Sequence, residues 1–207
     1  MPTFRNRDDQ LNWESCDLHN VHQLPASLAG LNIGIDVGAH VGGFSWACLE
    51  RGIGRMVAVE PSKENCDLLR TNLDLYRNNL TVIEAGLWGN SEPAPQFWAR
   101  DDHGRAAHGV GSLRWQEGIP ITIQRLDPLL VSLENVDLMK IDTEGAELDI
   151  LGDSKELHRI QSIYGEFHLW RYTLSQLTDV LLAAGFAVRS EFWRTDLGLG
   201  GFWATRG

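Results

Sequence analysis

The run Ile33-Gly34-Ile35-Asp36-Val37-Gly38-Ala39-His40-Val41-Gly42-Gly43-Phe44-Ser45 constrains this chain more than any other stretch. Ile33, Ile35 and Val37 are β-branched and apolar, as expected of a short parallel strand covered on both faces. The strand stops where the glycines begin, and Gly38 and Gly42 accept backbone conformations that let a ligand approach the main chain. Phe44, Trp46, Ala47 and Leu49 then mark the apolar side of a helix, whose first turn carries N–H groups without partners inside the helix. Strand, glycine turn and helix start predict a nucleotide-type cofactor site, with Asp36 facing its opening.

The same unit repeats downstream. Strands are predicted at 33–37, 56–60 and 80–85, alternating with helices at about 42–51 and 62–77, so the chain reads β-α-β-α-β and builds a parallel sheet through right-handed crossovers. A fourth strand, 136–141, leads into a short helix through Leu151, and a fifth covers about 162–167. A helix at about 174–184 stops at Gly185, and strands 186–193 and 200–205 form a hairpin. The expected architecture is a doubly wound, mostly parallel seven-stranded α/β sheet with an antiparallel C-terminal hairpin, in one domain over 1–207. Residues 1–30 read as a short helix or extended arm packed beside the first strand. Residues 86–118, rich in glycine and proline, read as a lid-like insertion, because compact domains seldom keep so long a loop without use. Within that region Gln96-Phe97-Trp98-Ala99 and Ile121-Thr122-Ile123-Gln124 alternate as if to pair.

Charge and cysteine content narrow the partners and the compartment. A formal charge of -10 argues against a nucleic-acid acceptor, whose binding rests on Lys and Arg neutralising phosphates. Cys16, Cys48 and Cys66 are too far apart for a C-x-x-C pair, which favours a reducing, cytoplasmic setting. The amino terminus is charged where a signal peptide is apolar, and no run approaches membrane-spanning length. Oligomeric state is not written in the chain.

The glycine turn alone does not choose the cofactor. Asp36-x-Gly38-x-x-x-Gly42 lacks the middle glycine of a dinucleotide fingerprint, His40 standing in its place, and no G-K-[ST] follows for a P-loop. Glu60 ends the second strand, where a carboxylate can accept from both hydroxyls of a ribose. Asp36 and Asp142 give the opening an acidic lining, suited to the ammonium and sulfonium of S-adenosylmethionine rather than to a diphosphate.

On these residues the chain resembles the S-adenosylmethionine-dependent methyltransferases of the class I, Rossmann-like type, and within them the FkbM family. The resemblance rests on Asp36-Val37-Gly38-Ala39-His40-Val41-Gly42, on Val59-Glu60-Pro61, and most specifically on Leu138-Met139-Lys140-Ile141-Asp142-Thr143-Glu144-Gly145-Ala146-Glu147. His40 stands where the family more often has asparagine. The resemblance implies methyl transfer to a hydroxyl oxygen of a saccharide or natural-product acceptor of small or medium size. It implies cofactor contacts at Asp36, Gly38, Ala39, His40, Gly42, Glu60, Pro61, Gly86, Leu87 and Asp142. An NAD-linked oxidoreductase is the enzymatic alternative, and a scaffold that binds cofactor without catalysis the other.

An alcohol acceptor needs a base as well as alignment. Asp142 and Glu144 follow the fourth strand and Glu166 and His168 end the fifth, so Glu144, Glu166 and His168 are the catalytic candidates, with His168 or Glu144 as base. Glu144 and Glu147 also suit the first turn of a helix through its dipole, and Lys140 within an apolar strand calls for a carboxylate partner, Asp142 or Glu166. An Mg²⁺ ion on Asp142 and Glu144 is the less favoured reading, and no metal ligand is assigned. His103 and His108 read as loop residues, and Trp88, Trp98, Trp115 and Trp170 as core or sugar-stacking indoles.

Overall fold

A computed structural model describes residues 1–90, 121–170 and 172–207. Its strands are β1 (Ile33–Val37), β2 (Arg55–Glu60), β3 (Leu80–Glu84), β4 (Gly86–Trp88), β5 (Ile123–Arg125), β6 (Val136–Ile141), β7 (Ile160–His168), β8 (Ala187–Arg194) and β9 (Leu199–Thr205). The helices are α1 (Arg7–Asp17), α2 (Gly43–Glu50), α3 (Lys63–Asn72), α4 (Leu126–Leu133), α5 (Glu147–Leu151) and α6 (Leu174–Ala183). Seven strands form one sheet in the order β3-β2-β1-β6-β7-β9-β8. The first five of these run parallel, β9 lies antiparallel to β7, and β8 antiparallel to β9. The doubly wound sheet with its antiparallel C-terminal pair is the architecture expected from the hydrophobic pattern.

Because successive side chains of a strand point to opposite faces, β2 feeds two cores at once. Val57 and Val59 join Ile35, Val37, Met139 and Ile141 on one face, whereas Met56 and Ala58 join Phe44, Leu69 and Leu138 on the other. Ser62 caps α3 by accepting from the Asn65 N–H at 3.3 Å, and Cys66 and Leu69 recur on its buried side. That helix is shorter than its sequence pattern, giving way to a tight turn at Asp74–Tyr76.

Of the two forms expected for the N-terminal arm, the structure shows the short helix. This is α1, which packs on α2 where Gly43 admits the backbone of Trp13: a Cβ at Gly43 would come within 2.9 Å of the Trp13 Cα. The Trp13 ring then meets Trp46 at 5.4 Å and Phe4 at 5.9 Å. The reason is that α2 is buried nearly all round, through Gly43, Phe44, Ser45, Ala47, Cys48 and Leu49, so its outward side needs a cover of its own.

Gly86–Trp88 forms β4, paired in parallel with β5 as a separate two-stranded sheet. The expected strand over Ile121–Gln124 is therefore present in part, with a different partner. The proposed Gln96–Ala99 strand, Trp98, His103, His108, Trp115 and most of the lid-like insertion lie outside the described residues. Among the described residues, no helix is long and apolar enough to cross a membrane.

Candidate active site

The carboxyl ends of β1 and β6 meet at the glycine turn. Gly38 has φ +73°, and a Cβ there would collide with the carbonyl oxygen of Asp142, so only glycine allows the two loops to touch. The contact is fastened on both sides: the Asp142 N–H donates to Val37 O at 3.1 Å, and Lys140 Nζ donates to Gly38 O at 2.7 Å. His40, at φ +51°, and Glu144, at φ +55°, are non-glycine residues in the left-handed region, one in each loop. Such backbone strain costs about 1–3 kcal/mol per residue and persists only where the surroundings over-determine it.

Asp36 does not face the opening. It is fully buried, its Oδ2 accepting from the N–H and the hydroxyl of Ser45 at 3.2 and 2.8 Å, and its Oδ1 lying 3.4 Å from Lys140 Nζ. The cause is the strand's alternation: Asp36 sits in register with Lys140 on β6, so both point to the same face of the sheet. There the carboxylate takes up the first-turn N–H that the sequence reading left to a ligand. Lys140 also lies 3.7 Å from Asp142 Oδ2, and these two carboxylates hold its ammonium above its ordinary value against the opposing effect of burial.

Glu60 is 5% exposed and already heavily engaged. Oε1 accepts from the Ser62 N–H at 2.9 Å and from Asn65 Nδ2 at 3.0 Å, and Oε2 from the His40 N–H at 2.9 Å. A carboxylate has about four acceptor positions, so this arrangement leaves one for a ribose hydroxyl and not the two expected. Burial raises the Glu60 pKa despite these donors. Pro61 follows directly on Glu60 and is half-buried, and Ala39 is buried with its N–H donated to Val59 O at 3.2 Å. Gly86 N–H donates to Thr122 O at 2.9 Å, and the Leu87 side chain is in the core, so only backbone atoms there could meet a cofactor.

Asp142, Glu144 and His168 converge at the ends of β6 and β7, with one ligand atom from each lying within 4.8 Å of the others. His168 is held between two carboxylates: Nε2 is 3.2 Å from Glu144 Oε2 and Nδ1 is 3.3 Å from Glu147 Oε1. Burial alone would lower its pKa, but hydrogen bonds to Glu144 and Glu147 overcome this and push it up to about 11. The imidazole therefore carries its proton at neutral pH and has no lone pair to offer either a hydroxyl proton or a metal ion. Glu166 behaves in the opposite way, as burial and the nearby Asp142 push its carboxyl up to about 8. Burial likewise raises Asp142, with Lys140 opposing.

Glu147 is the residue whose importance the sequence concealed. It is fully buried, and its Oε1 accepts from the Thr143 N–H at 3.0 Å, the Thr143 hydroxyl at 3.1 Å and the Gly145 N–H at 3.1 Å, while Oε2 accepts from the Tyr172 hydroxyl at 2.7 Å. Burial opposes its ionisation, yet His168 and Tyr172 hold its pKa below the usual value. One carboxylate thus ties the whole turn from Thr143 to Gly145 to His168. Its spacing of three from Glu144 carried no signal, since Glu144 lies in the loop at φ +55° and α5 begins only at Glu147. Trp170, 40% exposed, donates Nε1 to Glu144 O at 3.2 Å and covers Gly145, where a Cβ would come within 2.7 Å of the indole. Trp88, by contrast, is in the core.

The site fits S-adenosylmethionine. Among the described residues Asp142 Oδ1 has no hydrogen-bond partner and offers an acceptor beside the glycine turn, and Glu60 keeps one acceptor at the end of β2. Fold and site together define a class I methyltransferase. The sequence matches the methyltransferase FkbM domain over residues 36–188, and the chain belongs to that family, as an S-adenosylmethionine-dependent methyltransferase.

No curated protein is similar enough in sequence to count as a relative. Solved structures share the fold at low identity. M. capricolum TrmK, in complex with S-adenosylhomocysteine, is 10% identical over 92% of this chain and 67% of its own, with a TM-score of 0.53. A precorrin-6y C5,15-methyltransferase from Geobacter metallireducens is 16% identical over 86% of this chain and 81% of its own, at 0.51. Streptococcus pneumoniae Sp1610, described as a candidate tRNA (m1A22) methyltransferase, is 15% identical over 92% and 69%, at 0.53. This last likeness corrects one expectation: a formal charge of -10 does not exclude a nucleic-acid acceptor from this fold. A net charge averages the whole surface, whereas a polynucleotide meets the field of one face.

Proposed function

We propose that the protein methylates a hydroxyl oxygen of a saccharide or natural-product acceptor, held at the ends of β6 and β7. When bound, S-adenosylmethionine supplies the methyl group. The observation that supports this reading is the cluster of Asp142, Glu144 and His168 directly beside the Gly38 turn, with Glu166 near enough to feel the charge of Asp142. Asp142 would hold the cationic part of the cofactor, and Glu60 would hold one ribose hydroxyl. The acceptor hydroxyl gives up its proton as it is methylated, and the Glu166 carboxylate takes it. A base works best with a pKa near the operating pH, and a carboxyl at about 8 meets that condition where an imidazolium at about 11 does not. His168, fixed by Glu147, keeps Glu144 aimed at the acceptor. Trp170 presents an exposed aromatic face for a sugar ring. The three buried free cysteines support a reducing, cytoplasmic setting, and the shared sheet supports one domain with α1 as its arm.

The test is transfer of labelled methyl from S-adenosylmethionine to a panel of saccharides, natural-product alcohols and tRNA, with products located by mass spectrometry. O-methyl products are expected, with kcat rising through about pH 8 in the native enzyme and losing that limb, and 10²-fold or more of its value, in Glu166→Gln. Methylation of RNA alone overturns the acceptor class, and a Glu166→Gln enzyme with native kcat overturns the base.

A further inference from the structure

The segment before β1 lies outside the family match, which begins at residue 36, yet it is wired into the cofactor turn at three points. Asp9 on α1 is fully buried, and its carboxylate receives Arg5 through Nε and Nη2, both at 2.9 Å, while Oδ1 lies 3.3 Å from His40 Nε2. Arg5 Nη2 also donates to Asn65 Oδ1 at 2.6 Å, and Asn65 Nδ2 donates to Glu60 Oε1. Glu60 Oε2 accepts from the His40 N–H, so Asp9, Arg5, Asn65, Glu60 and His40 close a ring. Separately, the Thr3 N–H donates to Asn72 Oδ1 at 2.7 Å, and Asn72 Nδ2 donates to Val41 O at 3.1 Å.

This ring does more than anchor a helix. Four of its five members, Asp9, His40, Glu60 and Asn65, are buried, so its hydrogen bonds are shielded from water and hold their geometry. His40 is in the left-handed region, a conformation that needs outside support; Asp9 Oδ1 sets a carboxylate 3.3 Å from its Nε2, a charge contact rather than a hydrogen bond, while Glu60 accepts from its N–H. Asn65 in turn fixes the oxygen of Glu60 that faces away from His40, which decides where the last acceptor position of Glu60 points.

We propose that Asp9 and Arg5 are positioning residues for the cofactor, acting through His40 and Glu60, so that the N-terminal arm is a working part of the S-adenosylmethionine site. The inference rests on placing the cofactor along the Gly38 turn and Glu60. The arm holds His40 and Glu60 in the bound geometry before the cofactor arrives, which spares binding the cost of ordering the turn.

Calorimetry with S-adenosylhomocysteine on the full chain tests this, with thermal melting as a folding control. Asp9→Asn keeps the shape of the side chain and removes its charge, and Arg5→Gln removes the guanidinium at a residue whose side chain is one-third exposed. Each should weaken binding about tenfold and raise KM for S-adenosylmethionine by a similar factor, with kcat at saturating cofactor within twofold of native. Combining Asp9→Asn with His40→Gln should weaken binding no more than the worse single change, since both cut one chain of contacts. Should Asp9→Asn not fold, Arg5→Gln and its cycle with His40→Gln decide alone. Native affinity in the folded arm variants, additive effects with His40→Gln, or a fall in kcat with KM unchanged would each overturn the proposal. Glu60→Ala separates the two levels: weak binding there beside native affinity in the arm variants leaves the cofactor placement standing and removes the arm from it. Unchanged affinity in Glu60→Ala removes the placement itself.

Discussion

Replacing Glu147 by Gln isolates the charge that the 143–147 turn and His168 share. The Gln carbonyl, set in the place of Oε1, retains the donors from Thr143 and Gly145, and its amide group then points at the Tyr172 hydroxyl, which must reverse and accept. What no rotamer restores is the negative charge 3.3 Å from His168 Nδ1, in a pair that is 0% and 4% exposed. Removing one partner of a buried ion pair costs about 3–5 kcal/mol, and because Glu144 still faces Nε2 at 3.2 Å, the lower figure applies, about 3 kcal/mol. The sign of the pH dependence follows from the raised pKa of His168. Its ionic contribution is fully present below the ordinary value of 6.5 and is lost as pH rises through about 11. Urea denaturation of native and variant proteins at pH 7, 8.5 and 10 should therefore show a gap of about 3 kcal/mol that narrows steadily with alkalinity. A gap under about 1 kcal/mol at pH 7, or one that stays constant to pH 10, refutes the reasoning that His168 is held as an imidazolium by this carboxylate.

Glu60→Ala should weaken S-adenosylhomocysteine binding by about 1.5–3 kcal/mol, read by calorimetry, because it removes a charged acceptor and frees the His40 turn together. Treatment with EDTA should leave methyl transfer intact, since both nitrogens of His168 are committed to Glu144 and Glu147. Activity lost to EDTA and restored by Mg²⁺ would recast Asp142 and Glu144 as ligands.

What could be read in the chain beforehand was whatever depends on neighbours in sequence. The five-residue run ending at Val37, the apolar 136–141 stretch and the stop at Gly185 carry their own periodicity, and the sheet, its crossovers and the final hairpin follow from them. Asp36 shows where this reasoning ends: a carboxylate near a glycine turn suits a ligand and a helix terminus equally well, and only the register with Lys140 on a strand a hundred residues later decides between them. The link from Asp9 to His40 leaves no trace in spacing at all, being made by tertiary packing of α1 on α2 through Trp13. Glu147 was legible as a helix-dipole residue and illegible as a hub, because its donors come from Thr143, Gly145, His168 and Tyr172, two of which lie more than twenty positions downstream.

The small β4–β5 sheet bears on why residues 89–122 are so many. Two strands that run the same way cannot be joined by a tight hairpin; the chain must leave the end of one and travel back to the start of the other, which takes a dozen residues or more. The two ends of that stretch are clasped independently of what lies between them, since Asn90 donates to Asp127 Oδ2 at 2.7 Å and its N–H to Asp153 Oδ1 at 2.8 Å, while Arg125 reaches back to Gly89 O. Through these contacts Gly89 and Asn90 are locked to α4 and to the turn after α5, so the end of β4 is held from three places far apart in sequence.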